Sequence, residues 1–372
     1  SIYRWRGADL RNILDFENDF PEAQVVRLEQ NYRSTQLILD AASAVIQQNR
    51  NRKEKGLWTE QEQGKKIIYF RAADDLEEAD FITRATREAL SDDTETHVAI
   101  LYRTNAQSRV LEDAFMREGL AYRMVGGVRF YERKEIKDVL AFLKLIINPY
   151  DDVSLRRVIN VPTRGIGKGV MASLQQMEVE PKYPTVTHTV ADTSDAATPS
   201  DSLWSKLIHA VDQNLLSTRA TSSLSTFKDL LLRLQEGARN ETVPEIVGQV
   251  LDQTGYLTTL RDEQSTEAEG RIENLMELVS AAQEAEHHSP DLTLASFVDR
   301  LSLLSETDEG HGSLEARAWM MTLHAAKGLE FPTIVISGLE EGLFPHAHVS
   351  EDEEDVEEER RLFYVGLTRA QR

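Results

Sequence analysis

The 372 residues include no cysteine. That excludes a disulfide framework, a thiol nucleophile and a cysteine-ligated zinc or iron–sulfur centre, and it accords with a reducing compartment. Long apolar runs are also missing. The longest stretch, around Val139–Ile147, is broken by Lys144, and a membrane helix needs about 18 or more such residues. The opening Ser1-Ile2-Tyr3-Arg4-Trp5-Arg6 contains no apolar signal core, so a cytoplasmic protein without a membrane partner is expected. It also lacks Met, from which we expect the chain to begin inside a longer protein. Nine histidines are present, but His287-His288 and His346-x-His348 have no further ligands at zinc spacing, and no metal site is expected.

Positive charge is scarce. Lys and Arg number 42 against 63 Asp and Glu, a net charge of −21. Residues 1–170 hold 27 basic and 27 acidic side chains, so the remaining 15 and 36 carry the whole imbalance. Eight acids fall within the nine residues Glu351–Glu359, which reads as a solvated loop or helix start. An acidic chain is a poor generic ligand for nucleic acid. Any grip on DNA has to come from local basic and aromatic positions in the first half.

At about 150 residues per domain, the length predicts two or three domains. β-rich runs at Gln24–Leu28, Lys66–Arg71, His97–Arg103 and Ala121–Val125 alternate with helical spacing at Ser34–Gln48, Leu76–Leu90, Ala106–Glu118 and Arg133–Ile147. Such alternation predicts βαβ crossovers and a largely parallel sheet. The pattern returns at Ala318–Leu323, Thr333–Ser337 and a helix from about Glu357. Between these blocks, Leu203–Asn214, Leu224–Arg239, Val243–Thr254, Glu267–Glu286 and Leu292–Leu304 are helical in spacing, and 180–202 reads as a mobile loop. Asp74-Asp75 and Asp92-Asp93 read as a helix cap and a helix terminus, and Asp151-Asp152 as a hinge or turn. The expected fold is an α/β domain interrupted by a mostly helical insertion.

Four segments carry chemistry. Leu28-Glu29-Gln30-Asn31-Tyr32-Arg33-Ser34 ends a run of strand character and opens a helix, the junction at which parallel α/β sheets bind ligands. Arg33 there offers a planar cation to a phosphate, and Tyr32 a flat face to a base. Thr322-Leu323-His324-Ala325-Ala326-Lys327-Gly328-Leu329-Glu330-Phe331 supplies small residues for close backbone approach, with donors suited to phosphate oxygens. Glu358–Ala370 sets Phe363 and Leu367 on one helical face with Arg369 beyond them. Tyr3-Arg4-Trp5-Arg6-Gly7 alternates aromatic and basic residues, the composition of a platform for stacking single-stranded bases.

Taken together and in this order, the segments resemble the helicase motifs of the superfamily 1 UvrD/PcrA/Rep family. Tyr3–Gly7 is similar to the end of motif III, Gln30–Ser34 to motif IV, Thr322–Phe331 to motif V and Glu358–Ala370 to motif VI. Leu101–Arg109, Gly126–Phe130 and Arg164–Gly167 extend the resemblance over nearly the whole chain. It implies a RecA-like (P-loop NTPase-type) parallel sheet with helices on both faces. Arg33 and Arg369 would be arginine fingers that neutralise charge growing in phosphoryl transfer. Tyr32 would stack on adenine, and Glu330 would lie near the ribose or terminal phosphate. Tyr3, Trp5 and Arg6 would hold single-stranded DNA, and Arg103, Asn105, Thr322, His324 and Lys327 would contact its backbone. Gly165 and Gly167 would approach duplex DNA, although the family's usual Ser or Thr after that turn is replaced by Lys168-Gly169-Val170-Met171.

A helicase also needs G-x-x-x-x-G-K-[ST] and an acidic magnesium site. The pairs Gly64-Lys65 and Gly167-Lys168 lead into Lys66 and Gly169 instead, and the family's missing elements precede motif III. The resemblance therefore implies part of an ATP-dependent 3′–5′ DNA helicase of repair or replication. ATP and Mg2+ would belong to the intact parent, partners would be single-stranded DNA and single/double-strand junctions, and the N-terminal motor domain would be missing. Residues 1–28 would be a remnant of that first domain. Residues 29–133 and 316–372 would form the second motor domain, and 134–315 the insertion. The piece is expected to be inactive alone. Two other readings stand beside it: a non-catalytic nucleic-acid- or protein-binding module that retains the fold, and an inactive motor subunit of a helicase–nuclease complex.

Overall fold

The computed structural model describes residues 2, 8, 12, 15–50, 52, 55–93, 95–179, 201–306, 315–346 and 353–372. Two compact units emerge: Ser1–Phe130 with Thr307–Arg372, and Tyr131–Glu306. In the first, α1 (Gln36–Ile46) and α2 (Asp75–Asp92) precede β1 (Val98–Tyr102), α3 (Ser108–Arg117) and β2 (Tyr122–Met124). The second unit holds α4 (Lys134–Ile147), α5 (Asp152–Val158), α6 (Lys168–Gln176), α7 (Leu203–Asp212), α8 (Thr218–Gly237), α9 (Val243–Gln253), α10 (Tyr256–Glu263), α11 (Thr266–His288) and α12 (Leu294–Glu306). The chain then returns to the first unit with β3 (Ala318–Thr322), β4 (Thr333–Ile336) and α13 (Glu353–Leu367).

The four strands form one parallel sheet in the order β2-β3-β1-β4. Every residue of β1, Val-Ala-Ile-Leu-Tyr, is buried, as a central parallel strand covered on both faces requires. Its side chains alternate between two cores. Val98, Ile100 and Tyr102 join Ala318 and Met320 against Ile82 of α2 and Leu111 and Phe115 of α3. Ala99 and Leu101 join Met321 and Leu323 against Leu362 of α13 on the other face. Gly366 lets α13 settle on the sheet, because a Cβ there would stand 2.5 Å from Leu323 Cδ2 and 3.2 Å from Ile336 Cδ1. The Asp74 carboxylate accepts from the Glu77 amide and starts α2, with Asp75, Glu77 and Glu78 in its first turn, where the helix dipole favours negative charge.

Two expected strands do not form. Gln24–Leu28 and Lys66–Arg71 run as irregular chain. Val26, Leu28, Ile68 and Tyr69 are left exposed, and Phe70 stacks on Phe81 with ring centroids 4.0 Å apart. β-propensity needs a neighbouring strand to become a ladder, and these runs have none among the described residues. Nor is the acidic run wholly solvated, since Glu357 and Glu359 are buried in α13. The expected mobile loop at 180–202 lies outside the described residues apart from Asp201 and Ser202.

In the second unit α4 is buried on nearly all faces and packs against α5, α8, α9, α11 and α12. The longest apolar run of the sequence thus becomes a core helix. Two acids on it are buried and paired. Glu135 accepts from Asn274 Nδ2 at 2.6 Å, and Asp138 accepts from Tyr256 Oη and Arg157 Nε, both at 2.8 Å. Burial and then the Asp138 charge push the Tyr256 hydroxyl far above its usual pKa. Asp151-Asp152 is a helix start rather than a hinge: the Asp151 carboxylate caps α5 by accepting from the Val153 and Ser154 amides. No helix among the described residues is long and apolar enough to cross a membrane.

Candidate functional site

Three chain segments meet beside the sheet of the first unit. Ser34 Oγ donates to Ala370 O at 2.6 Å, the Thr35 amide to Gln371 O, and the Phe331 amide to Arg369 O. The segments around residues 33, 330 and 369, far apart in sequence, become one locus. Arg33 donates from Nε to Glu330 Oε2 at 2.5 Å and from Nη1 to Thr368 O at 3.1 Å. Arg369 donates from Nη2 to Thr368 Oγ1 at 3.1 Å, from Nε to Val365 O at 3.0 Å and from Nη1 to Leu329 O at 3.3 Å. Both guanidinium groups therefore touch Thr368. Tyr32 projects next to them, 74 % exposed, its hydroxyl donating to Gln30 Oε1.

The electrostatics of the locus follow from this crowding. Burial, then the charge of Arg33, hold the Arg369 guanidinium below its usual pKa. The hydrogen bond from Arg33, then its charge, hold the Glu330 carboxyl below the 4.5 of a free glutamate. Two cations stand near one carboxylate, Arg33 bonded to it and Arg369 acting on it by charge alone, an arrangement that attracts an anion. Because the folded pKa of Glu330 is depressed, its contribution to stability is present above about pH 4.5 and disappears as acid carries the pH below the folded value. Glu330→Gln should accordingly melt below wild type at neutral pH and level with it in strong acid. A gap that persists through the acid titration would refute the Arg33–Glu330 link.

A second locus lies at the carboxyl ends of β1 and β3, where open parallel sheets place their ligands. Arg103 and Asn105 follow β1, Thr322 ends β3, and His324 and Lys327 sit in the turn after it. Asn105 and Lys327 are exposed. Thr322 Oγ1 accepts from the Ala325 amide at 3.3 Å. Gly126 and Gly127 line the same end, for a Cβ on Gly126 would meet Ala325 at 3.3 Å, and one on Gly127 would stand 4.0 Å from Asn105 Oδ1. Gln107 braces the loop, its Oε1 accepting from the amides of both Arg103 and Thr104 at 2.9 Å. The Arg103 side chain is paired with Glu359 at 2.9 Å.

Gly165 and Gly167 belong to the second unit, in the turn that leads from α5 to α6. Asn160 Oδ1 accepts from the Arg164 and Ile166 amides, Ile166 is buried, and the glycines on either side of it are exposed. Gly165 has φ +77°, which glycine adopts without strain. Tyr3, Trp5 and Arg6 lie outside the described residues.

With this geometry in place, comparison with known proteins is decisive. The UvrD-like helicase C-terminal domain family matches residues 26–372. The chain belongs to that family. Similar relatives are each named ATP-dependent DNA helicase PcrA. That of Bacillus subtilis is 44 % identical over 379 residues, and those of Staphylococcus epidermidis and Staphylococcus aureus are 43 % and 42 % identical over 376. In each case all of this chain is covered and 49 % of the relative, so the chain spans about half the length of the curated relatives it matches. The parallel sheet flanked by helices is the RecA-like α/β fold of UvrD-like C-terminal domains.

Sequence reading of this UvrD-like domain passed over Glu359, which it counted among solvated acids. Its helical phase carried the signal: Glu359, Leu362 and Gly366 stand three and four residues apart, and all three are buried on α13. Glu112 was also missed. It lies inside the α3 core, accepting from Ser108 Oγ at 2.6 Å, Tyr122 Oη at 3.1 Å and the Phe130 amide at 3.3 Å. No sequence pattern marks it, because its partners come from three separate elements.

Proposed function

We propose that this chain is the part of an ATP-dependent 3′–5′ DNA helicase that supplies the arginine fingers and single-stranded DNA contacts, and that it hydrolyses no ATP alone. The observation that carries the reading is the meeting of Arg33 and Arg369 on Thr368 beside Glu330 and the exposed Tyr32. Two guanidinium groups, Arg33 held by Glu330 and Arg369 by Val365 O, Leu329 O and Thr368 Oγ1, are suited to the charge that spreads over a phosphoryl group in transfer. Tyr32 offers its ring to the adenine. The complementary cradle for ATP and Mg2+ would come from a first motor domain, as no G-x-x-x-x-G-K-[ST] occurs in these 372 residues.

The second locus takes the DNA. Arg103, Asn105, Thr322, His324 and Lys327 offer donors to backbone phosphates, joined in the reading by Tyr3, Trp5 and Arg6 as the stacking platform. Contacts of this kind carry no base code, so binding should be indifferent to sequence and sensitive to salt. Gly165 and Gly167, with exposed backbone on an anchored turn, fit the approach of duplex at a single/double-strand junction. We assign 29–133 and 316–372 to the second motor domain and 134–315 to the insertion, a reading supported by the separate compact unit Tyr131–Glu306. The assignment of 1–28 to a first-motor remnant rests on motif order alone. The 3′–5′ direction, the role in repair or replication and a cytoplasmic location rest on kinship with the UvrD-like family.

The test is direct. Labelled oligonucleotides of several sequences, titrated with the chain, should bind with closely similar affinity and with a log–log salt slope of about −0.7 per phosphate engaged. Marked sequence preference or salt-independent binding would count against the DNA locus. ATP turnover by the chain alone that Arg369→Ala abolishes would overturn the proposed inactivity.

A further inference from the structure

Arg103 is not a loose surface cation. Glu359 Oε1 and Oε2 each lie 3.0 Å from its Nε, and Oε1 lies 2.9 Å from Nη2. A guanidinium has two forks, one formed by Nε and Nη2 along its side and one by Nη1 and Nη2 at its end. The carboxylate occupies the side fork and leaves the end fork uncommitted among the described residues. The two partners are unequally covered: the Glu359 side chain is 7 % exposed and that of Arg103 22 %. The acid is the buried support and the cation the presented group. Backbone and side chain of Arg103 are fixed independently, the first by Gln107 and the second by Glu359.

We propose that Glu359 is a positioning residue, aiming the end fork of Arg103 at a DNA phosphate. This deepens the reading of Arg103 as a DNA contact and rests on it. The design has a physical reason. A free arginine must immobilise a long side chain on binding, at a cost in rotamer entropy. Held along its side by a buried carboxylate, Arg103 has met that cost before the phosphate arrives. The support stands on α13, the same helix that runs on into Thr368 and Arg369. The helix that carries the prop for the DNA-facing cation thus ends two residues before a cation of the nucleotide locus.

Fluorescence anisotropy of the full 372-residue chain with a labelled oligothymidylate, titrated across a range of salt, tests this. Glu359→Gln keeps the side-chain shape and removes the charge. It should weaken binding about fivefold. Arg103→Gln should weaken it at least as much and flatten the log–log salt slope by about 0.7. In the Arg103→Gln background, Glu359→Gln should cost nothing further. Unchanged or tighter binding by Glu359→Gln alone, or an equal loss in both backgrounds, would overturn the positioning role while leaving Arg103 as a DNA contact. No effect of Arg103→Gln would instead remove the DNA reading of Arg103, and the proposal with it. Should Glu359→Gln not fold, Glu359→Asp keeps the charge one methylene short; its loss must likewise vanish in the Arg103→Gln background, and a loss that persists there overturns the proposal.

Discussion

Arg369→Ala is expected to lower ATP turnover about 10³-fold or more in any assembly that joins this chain to a nucleotide-binding motor domain, with ATP binding retained. The reasoning is one of differential stabilisation: a guanidinium at the terminal phosphate acts most strongly when charge is being redistributed, so its loss appears in turnover rather than in affinity. Arg369→Lys should rescue little. The native side chain spreads its three nitrogens over Val365 O, Leu329 O and Thr368 Oγ1, and a single ammonium cannot reproduce that fork. Arg33→Ala should cause a comparable loss, and the double variant should lose far less than the product of the two, because the cations act as a unit. Steady-state turnover measured beside binding of a fluorescent ATP analogue decides the matter. A fall of less than tenfold, or lost binding with unchanged turnover at saturation, would remove Arg369 from the chemistry.

The second large effect is on stability and is confined to Tyr131–Glu306. Arg164 sits between the rings of Phe142 and Phe227, 5.8 and 5.7 Å from their centroids. It donates to the carbonyl oxygens of Val158, Val161, Pro162 and Thr254. Burial depresses its pKa to about 10, so the group stays charged at neutral pH and satisfies four carbonyls at once. Arg164→Ala strands those acceptors and empties the slot between the rings, and should cost roughly 3 kcal/mol. Hydrogen exchange resolved by segment is the fitting measurement, because two units need not unfold as one. Protection should fall in residues 131–179 and 201–306 and hold in β1 and β3. A uniform loss, or none, would contradict the assignment. The turn bearing Gly165 and Gly167 should loosen first, since Arg164 is its point of attachment.

Periodicity made β1, β3, β4 and most helices legible, because each carries an apolar rhythm that burial enforces locally. Gln24–Leu28 and Lys66–Arg71 have the same composition and stay irregular. What a strand requires beyond composition is an edge to pair with, and a linear reading of residues does not contain edges. The residues of the first locus could be singled out one by one in the sequence, since Arg33, Glu330 and Arg369 each stand in a compact motif. Their meeting at Thr368 was not, because it depends on backbone bonds such as Phe331 to Arg369 that only the folded sheet creates. Glu359 shows the opposite failure. Most of the acids before it in sequence face water, and they masked the two, Glu357 and Glu359, that turn inward.

The strand order has a consequence for how the protein is made. Among the described residues, both neighbours of β1 and the sole neighbour of β2 come from the far side of Tyr131–Glu306. A chain leaving the ribosome N-terminus first therefore finishes the whole interior helical block before either strand has anything to pair with. Throughout that interval Val98–Tyr102 has two open edges and every side chain apolar, the profile that invites self-association. Synthesis halted between Glu306 and Ala318 yields a finished helical block attached to two orphan strands, and the sheet closes only as the last stretch emerges.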